Sequence, residues 1–202
     1  VILWGLNGLL NGSPLVLHAA LLLTAWVLLS GGLHLDGLAD SADAWLGGFG
    51  DRERTLTIMK DPRSGPIAVV TLVLVLLLKF AALLALIDQH HGVYLLVVPL
   101  IGRAALLGLF LNTPYVRAGG LGQALADHLP RSAGKRVLAL SALACVLLAG
   151  LNGVFALIMA GLAFAWLRQV MLRRLGGTTG DTAGALLELL EVGVLVGLVL
   201  VC

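Results

Sequence analysis

Charge is scarce in this sequence. Asp, Glu, Lys and Arg together make up only 12% of its 202 residues, whereas 59% are hydrophobic. With a mean hydropathy of +1.03, the composition lies far outside the range of soluble domains. It excludes a soluble protein and gives no reason to expect nucleic acid as a partner. The chain is predicted to be an integral membrane protein whose main partner is the lipid bilayer.

Cysteine is scarce as well. Its two cysteines, Cys145 and Cys202, lie in apolar runs without a CxxC or CxxH neighbourhood, so neither a disulfide nor a thiolate metal site is expected. A polar leader and an initiator Met are also missing, because the chain begins at Val1 inside an apolar run. A signal peptide would begin with a charged segment. We therefore expect the first residues to be the end of a spanning helix whose beginning is missing.

Long apolar runs are what the sequence does contain. A helix needs about 20 apolar residues to cross a bilayer, and Gly, Pro, Asn and charged residues mark the turns between such runs. The predicted fold is all-α: a single integral membrane domain over residues 1–202, built as a polytopic helical bundle of six complete spans plus the tail of a preceding one. The six spans are predicted at 14–33, 66–88, 93–111, 135–151, 153–171 and 184–202.

The connections between these spans differ in charge. Eleven of the 13 Lys and Arg residues lie in alternate connections, whereas the connections at 88–92 and around Asn152 carry neither residue type. By the positive-inside rule, the basic connections face the cytoplasm. Most acidic residues lie on the same side, so we expect a site at the cytoplasmic face of a bacterial inner membrane.

The segment from Gly31 to Gly48 contains three aspartates, Asp36, Asp40 and Asp43. At about 100° per residue, offsets of four and seven return nearly to the starting direction, so a helix would place all three carboxylates on one face. Carboxylates this close repel one another unless a cation offsets their charge. Oxygen ligands suit Mg²⁺ or Mn²⁺. We therefore predict a divalent metal site, with a solvated acidic helix end as the alternative.

Two further cytoplasmic connections carry candidate phosphate ligands. Lys60, Asp61 and Arg63 come just before the second span. Arg63 is suited to two phosphate oxygens and Lys60 to one, although anchoring at the membrane surface is the alternative. The glycine-rich stretch 112–122 carries Tyr115 and Arg117 and is suited to folding over a phosphorylated substrate, with its backbone N–H groups offered to the anion. Taken alone, such a stretch is a weak signal, since most are ordinary loops.

A second acidic stripe lies in the last span. Offsets of seven and ten from Asp181 place Glu188 and Glu191 on one side of a helix, inside an apolar run where a free carboxylate is costly. Arg103 is their expected counter-charge, in a structural pair or in a substrate-binding role. Lys79, also inside a span, is expected to snorkel or to pair within the bundle.

Two smaller features complete the candidate site. His34 lies two residues before Asp36, where an imidazole is suited to orienting a ligand or taking up a proton; a polar contact at the start of the helix is an equally good interpretation. Gly193 and Gly197 form a GxxxG pair, which permits close helix contact within a subunit or between subunits of a homo-oligomer.

Four motifs, taken in order, resemble those of a known family: GGLHLDGLADSADAWLGG, IMKDPRSG, YVRAGGLG and LGGTTGDTAGALLELLE. In this order and spacing they are similar to the cobalamin synthase family, the adenosylcobinamide-GDP ribazoletransferases, over nearly the whole chain. The resemblance implies a multispanning enzyme of the bacterial cytoplasmic membrane that uses Mg²⁺. It also implies the reaction, in which adenosylcobinamide-GDP is joined to α-ribazole or its 5′-phosphate and GMP is released.

Phosphoryl transfer fits both the residues and the resemblance. A metal held by Asp36, Asp40 and Asp43 would bridge the diphosphate of the GDP-linked substrate and neutralise the leaving GMP. Asp61 or His34 is the candidate acceptor for the proton of the ribazole hydroxyl.

The remaining candidate residues are assigned to binding. The basic side chains among them would contact phosphate, and the acidic ones would complete a second metal site or bind a ribose. These binding candidates are Lys60, Arg63, Arg103, Arg117, Asp181, Glu188 and Glu191.

Two other classes of membrane protein also place carboxylates on membrane helices. A transferase that cleaves a CDP-alcohol has aspartates in a DG-containing motif, followed after eight residues by a Gly-x3-Asp-x3-Asp run, and no such run follows here. A metal or proton carrier would use Arg103, Glu188 and Glu191 as its pathway. A carrier is expected to have polar groups through to the far face, which is nearly bare in this sequence.

Overall fold

The computed structural model describes residues 1–120 and 122–201. Within these residues the regular elements are all helices, which confirms the predicted all-α class, and an isolated β-bridge joins Tyr115 to Thr178. Leu121, in the glycine-rich stretch, and Cys202, at the end of the last predicted span, lie outside the described residues. The helices are α1 (Ile2–Leu9), α2 (Leu15–Leu29), α3 (Leu33–Gly47), α4 (Arg52–Ile58), α5 (Pro66–Asp88), α6 (Tyr94–Asn112), α7 (Gln123–His128), α8 (Arg131–Leu175) and α9 (Gly180–Val201).

Four helices in the described part of the chain are long and apolar enough to cross a membrane: α5, α6, α8 and α9. The bent pair of α2 and α3 makes a fifth if it is counted as one span. These helices lie where the sequence predicts spans, and a membrane helical bundle is the architecture that results. Six complete spans would require two of them in α8, so the count of six stays a prediction.

Helix α8 is interrupted at Gly150. This residue has φ 56° and ψ −131°, a backbone conformation that residues with a side chain rarely adopt. A Cβ atom at Gly153 would lie 2.2 Å from the carbonyl oxygen of Cys145, although eight residues of straight helix would separate two positions by about 12 Å. The chain therefore turns sharply here, between the spans predicted at 135–151 and 153–171.

A second turn separates α2 from α3. Gly31 and Gly32 both have positive φ, 60° and 73°, and the axes of the two helices differ by 84°. Glycine tolerates this left-handed conformation without the steric cost that a Cβ atom adds. As a result α3 begins as a separate helix at Leu33, and the predicted helical placement of the three aspartates is confirmed.

The third basic connection contacts the other two or the helix ends beside them. This agrees with the prediction that they share one side of the membrane; which side faces the cytoplasm stays a prediction. Arginine side chains join them through hydrogen bonds from Arg174 Nη2 to Trp45 O (2.8 Å), from Arg174 Nε to Thr55 Oγ1 (3.1 Å), from Arg168 Nη2 to Asn112 O (2.6 Å) and from Arg168 Nε to Thr113 Oγ1 (3.0 Å).

Helix α9 is the centre of the bundle. It contacts α3, α5, α6 and α8 and is largely buried, whereas α5 presents exposed leucines such as Leu74 and Leu77. In a bilayer, apolar burial between helices gives little driving force because lipid tails are as apolar as leucine, so close packing of small residues and interhelical polar contacts become important. Both occur on α9, and they position the candidate site.

Candidate active site

Helices α3 and α9 pack closely because a glycine on each faces the backbone of the other. A Cβ atom at Gly37 would lie 2.7 Å from the carbonyl oxygen of Asp181, and one at Gly184 would lie 3.1 Å from the Cα of His34. Neither position has room for a side chain without displacing backbone. The start of α9, with Asp181, is therefore held beside the acidic face of α3.

Asp40 lies among other charged groups. The carboxylates of Asp36, Asp181 and Asp43 act on it with like charge, and the Arg117 guanidinium acts with opposite charge. Arg117 forms an ion pair with Asp181 through Nη1 and Oδ2. Among the charged groups that act on Asp40, one cation faces three carboxylates, so the immediate surroundings of Asp40 carry an excess of negative charge.

Backbone pairing holds Arg117 at this position. The Val116 N–H donates to the Thr178 carbonyl at 2.9 Å, and the Thr178 N–H donates to the Pro114 carbonyl at 2.8 Å. The glycine-rich stretch and the entry to α9 are thus joined just before Arg117 and Asp181. The structure brings together two predicted binding residues that are 64 positions apart in the sequence.

Asp43 lies on the same helix but points to a different partner. Its Oδ2 accepts a hydrogen bond from the Gly65 N–H at 2.5 Å, and its Oδ1 accepts one from the Ala68 N–H at 2.9 Å. These donors belong to the N-terminus of α5, where Gly65 provides no side-chain cap. Asp43 therefore caps α5 from a distance, satisfying N–H groups that have no partner within the helix.

By donor type, the acidic group of Asp36, Asp40 and Asp181 suits a hard divalent cation. No three His, Cys, Asp or Glu side chains in residues 1–120 and 122–201 are arranged so that they could hold a metal ion on their own. Mg²⁺ does not require three, because it usually keeps several waters and binds through one or two carboxylates plus substrate phosphates. The residues therefore fit Mg²⁺, and the predicted ligand set of Asp36, Asp40 and Asp43 stays a prediction.

The segment before α5 contains a pair of opposite charges. Arg63 donates from Nε to Asp61 Oδ1 at 2.9 Å and from Nη2 to Oδ2 at 2.7 Å. The Arg63 guanidinium lowers the pKa of Asp61 to about 2. Lys60 is exposed, and the preceding Met59 is buried, where its Sδ accepts a hydrogen bond from Thr179 Oγ1 at 3.2 Å. Met59 thus anchors this basic segment beside the entry to α9.

The pairing of Asp61 leads to a pH prediction. Because its pKa in the folded protein lies below its ordinary value of 3.8, any stability it contributes is present above about pH 4 and is lost only as pH falls through about 2. Asp61 is therefore fully ionised from pH 5 to 9. We expect Asp61→Asn to leave the midpoint of the acid limb in the kcat profile unchanged over this range. A shift of that midpoint would contradict the low pKa of Asp61 in the folded protein.

Lys79, Glu188 and Glu191 are buried inside the bundle and, together with Arg103, whose side chain is 43% exposed, form what we call the buried ion cluster. Lys79 Nζ lies 2.6 Å from Glu188 Oε2 and 2.8 Å from Glu191 Oε2, and Arg103 Nη1 pairs with Glu191 Oε1. The predicted pairing of Arg103 is confirmed for Glu191, and Lys79 pairs within the bundle. The formal charges of the cluster sum to zero, so it does not leave a free carboxylate in the apolar interior.

His34, near the start of α3, lies close to the buried ion cluster. Arg103, Glu188 and Lys79 all act on it electrostatically. Its Nδ1 atom is buried and has no hydrogen-bond partner within the described part of the chain. The proposed role of His34 as a proton acceptor stays a prediction; along α3, His34 precedes Asp36 by about half a turn and Asp40 by about one and two-thirds turns.

Several contacting residues were missed by sequence reasoning. The sequence does not assign Lys79 to the site, and it gives no role to Met59 or Thr179. Their partners lie on helices far away in the sequence, so periodicity along one helix gives no sign of them. For Met59 the sequence does contain one signal, since an apolar residue directly before Lys60 and Asp61 suggests an inward anchor.

Comparison with known proteins identifies the class of this chain. A family model described as cobalamin-5-phosphate synthase matches residues 1–199. The chain is 78% identical over 200 residues to an adenosylcobinamide-GDP ribazoletransferase of Pseudomonas fluorescens (strain Pf-5), covering 99% of this chain and 82% of the relative. Proteins of the same name from Pseudomonas syringae pv. syringae and Pseudomonas putida (strain GB-1) are 76% and 70% identical, over 98% and 99% of this chain and 82% of each relative. No solved structure matches.

The helical membrane architecture and the acidic site thus belong to an enzyme, as the resemblance of the four motifs implied. The chain belongs to the cobalamin-5-phosphate synthase family.

Proposed function

We propose that this protein transfers the cobinamide phosphate of adenosylcobinamide-GDP to α-ribazole or its 5′-phosphate and releases GMP, with Mg²⁺ as its cofactor, at the cytoplasmic face of the inner membrane. The names of its relatives support the substrates. The observation that carries the mechanism is the convergence of Asp36, Asp40 and Asp181 with Arg117, since excess carboxylate charge beside a single guanidinium suits a cation and a diphosphate together.

In this proposal each group of residues has its own task. Asp36 and Asp40 hold Mg²⁺, which when bound neutralises charge on the diphosphate. Arg117, released from Asp181 or shared with it, binds phosphate oxygens, and Lys60 supplies a further exposed cation. His34 accepts the proton of the attacking hydroxyl. Positioning of the two substrates supplies most of the acceleration, as is usual for phosphoryl transfer.

Two of the predicted binding residues receive a different proposal. Glu188 and Glu191 are only 4% and 1% exposed, and both pair with cations of the buried ion cluster. We propose that they hold α9 against α5 and α6 rather than bind substrate. The same neutral pairing disfavours an ion carrier, because a carrier pathway requires charged groups that exchange partners with a travelling ion.

The proposed function is tested with the full-length protein in proteoliposomes. We expect Asp40→Asn and Asp36→Asn to lower Mg²⁺-dependent GMP release by roughly a hundredfold or more, the order seen when one charge-stabilising group is removed from an active site. Asp88→Asn is the matched control, since Asp88 is an exposed aspartate at the other end of α5. Wild-type turnover in both Asp40→Asn and Asp36→Asn would contradict the proposed site.

A further inference from the structure

The hydroxyl group of Tyr115 is buried and has no hydrogen-bond partner within residues 1–120 and 122–201. Leaving a buried polar group unpaired costs about 1–3 kcal/mol, so nearly all such groups in folded proteins are paired. Phenylalanine at this position would avoid that cost. An unpaired hydroxyl beside a candidate active site therefore points to a partner that the chain itself does not supply.

The surroundings of the hydroxyl indicate the chemistry of that partner. A Cβ atom at Gly120 would lie 2.2 Å from the hydroxyl oxygen, and one at Gly180 would lie 3.8 Å from it with no other atom within 4 Å. The hydroxyl thus lies between the glycine-rich stretch and the start of α9. Two residues along the chain, Arg117 pairs with Asp181, the residue after Gly180. A group that bound here would meet a guanidinium and a phenolic O–H together.

Tyr115 also lines a polar cavity. The cavity has a volume of about 530 Å³, and its walls include Asn112, Asp127 and Arg131. Arg131 therefore lines the same cavity as the Tyr115 side chain, with Asp127 as the one carboxylate among these lining residues. Arg117, two residues after Tyr115, and Arg131, in the wall of this cavity, make the surroundings of Tyr115 suited to an anion with several acceptor oxygens, such as a phosphate group.

We propose that Tyr115 is a substrate-binding residue whose hydroxyl donates a hydrogen bond to a phosphate oxygen of the nucleoside-diphosphate substrate, beside Arg117. This inference rests on the proposed function and assigns one more contact within it. In the free protein the Gly120 backbone covers the hydroxyl, so substrate binding displaces the glycine-rich stretch from it. The hydroxyl, unpaired in the free protein, then donates a hydrogen bond to a charged acceptor.

The test is Tyr115→Phe, measured in the full-length enzyme. Because the hydroxyl has no protein partner, we expect the melting temperature of the free enzyme to stay the same or rise. We expect kcat/KM for adenosylcobinamide-GDP to fall roughly ten- to a hundredfold, the range for one hydrogen bond to a charged group, with KM for α-ribazole unchanged. Inhibition by GDP should weaken while inhibition by guanosine does not, since guanosine has no phosphate.

Tyr94→Phe is the matched control. The Tyr94 hydroxyl accepts a hydrogen bond from Asn152 Nδ2 at 2.7 Å, so its loss should lower the melting temperature and leave the kinetics unchanged. Wild-type kcat/KM in Tyr115→Phe would overturn the assignment, as would a loss of stability equal to that of Tyr94→Phe. Absence of GMP release by the wild-type enzyme would instead overturn the proposed function, so the two failures are distinguishable.

Discussion

Replacing Lys79 by methionine should destabilise the protein more than any other single substitution in its spans. Lys79 is 2% exposed and balances two carboxylates, with the centroid of the Trp26 ring 5.0 Å from Nζ. Methionine preserves the length of the side chain but leaves Glu188 and Glu191 with one cation between them. Breaking a buried ion pair by removing one partner costs about 3–5 kcal/mol. We expect a large fall in folded yield and in melting temperature.

The buried ion cluster also predicts a rescue. Adding Glu188→Gln to Lys79→Met removes the carboxylate that depends on Lys79 alone, and it leaves the neutral pair of Arg103 and Glu191. Most of the lost stability should return. The control for methionine itself is Leu77→Met on the exposed side of α5. A double variant as unstable as Lys79→Met would show that charge balance is not what the cluster provides.

Replacing Asp43 by alanine should abolish most activity by releasing the N-terminus of α5. Two backbone N–H groups, those of Gly65 and Ala68, would lose their acceptor, and each hydrogen bond to a charged group contributes about 1.5–3 kcal/mol. The segment with Lys60 and Arg63 would then lose its fixed position beside α3. Asp43→Asn should be milder, because the amide oxygen retains one of the two bonds.

A second substitution separates capping from metal binding. A Cβ atom at Gly65 would lie 2.8–3.0 Å from the atoms of the Asp43 carboxylate, so Gly65→Ala should reproduce the defect of Asp43→Ala without removing any carboxylate. Neither variant should raise the Mg²⁺ concentration needed for half-maximal turnover as much as Asp40→Asn does. If Asp43→Ala raises it equally while Gly65→Ala is silent, Asp43 is a metal ligand, as the sequence predicts.

Features that depend on one helix at a time could be predicted from the sequence. The lengths of the apolar runs predict spans at 66–88 and 93–111, and the bounds of α5 and α6 agree with these to within one residue. Periodicity placed the three aspartates on a single helix, α3. Both signals are local, since a helix repeats every 3.6 residues whatever surrounds it.

Features that depend on how helices meet could not be predicted in the same way. The sequence contains no sign that Asp43 faces the start of α5, because the contact requires the bend at Gly31 and Gly32. Nor does it show that Lys79 lies level with Glu188, which follows from the vertical offset of α5 against α9. Because few charged residues lie inside the spans, the sequence leaves few possible ion-pair partners for each of them. For Arg103 the expected pairing with a glutamate is observed.

The contact of Gly37 with the backbone of Asp181 has a consequence for precision. Where two acidic groups are separated by a stack of side chains, rotamer changes alter their spacing on the nanosecond timescale. Here main chain rests against main chain, so the gap between the two helices is as stiff as the helices themselves. Mg²⁺ tolerates little variation in the distances to its oxygen ligands. A nearly constant spacing between α3 and α9 would therefore suit a Mg²⁺ ion bound between them.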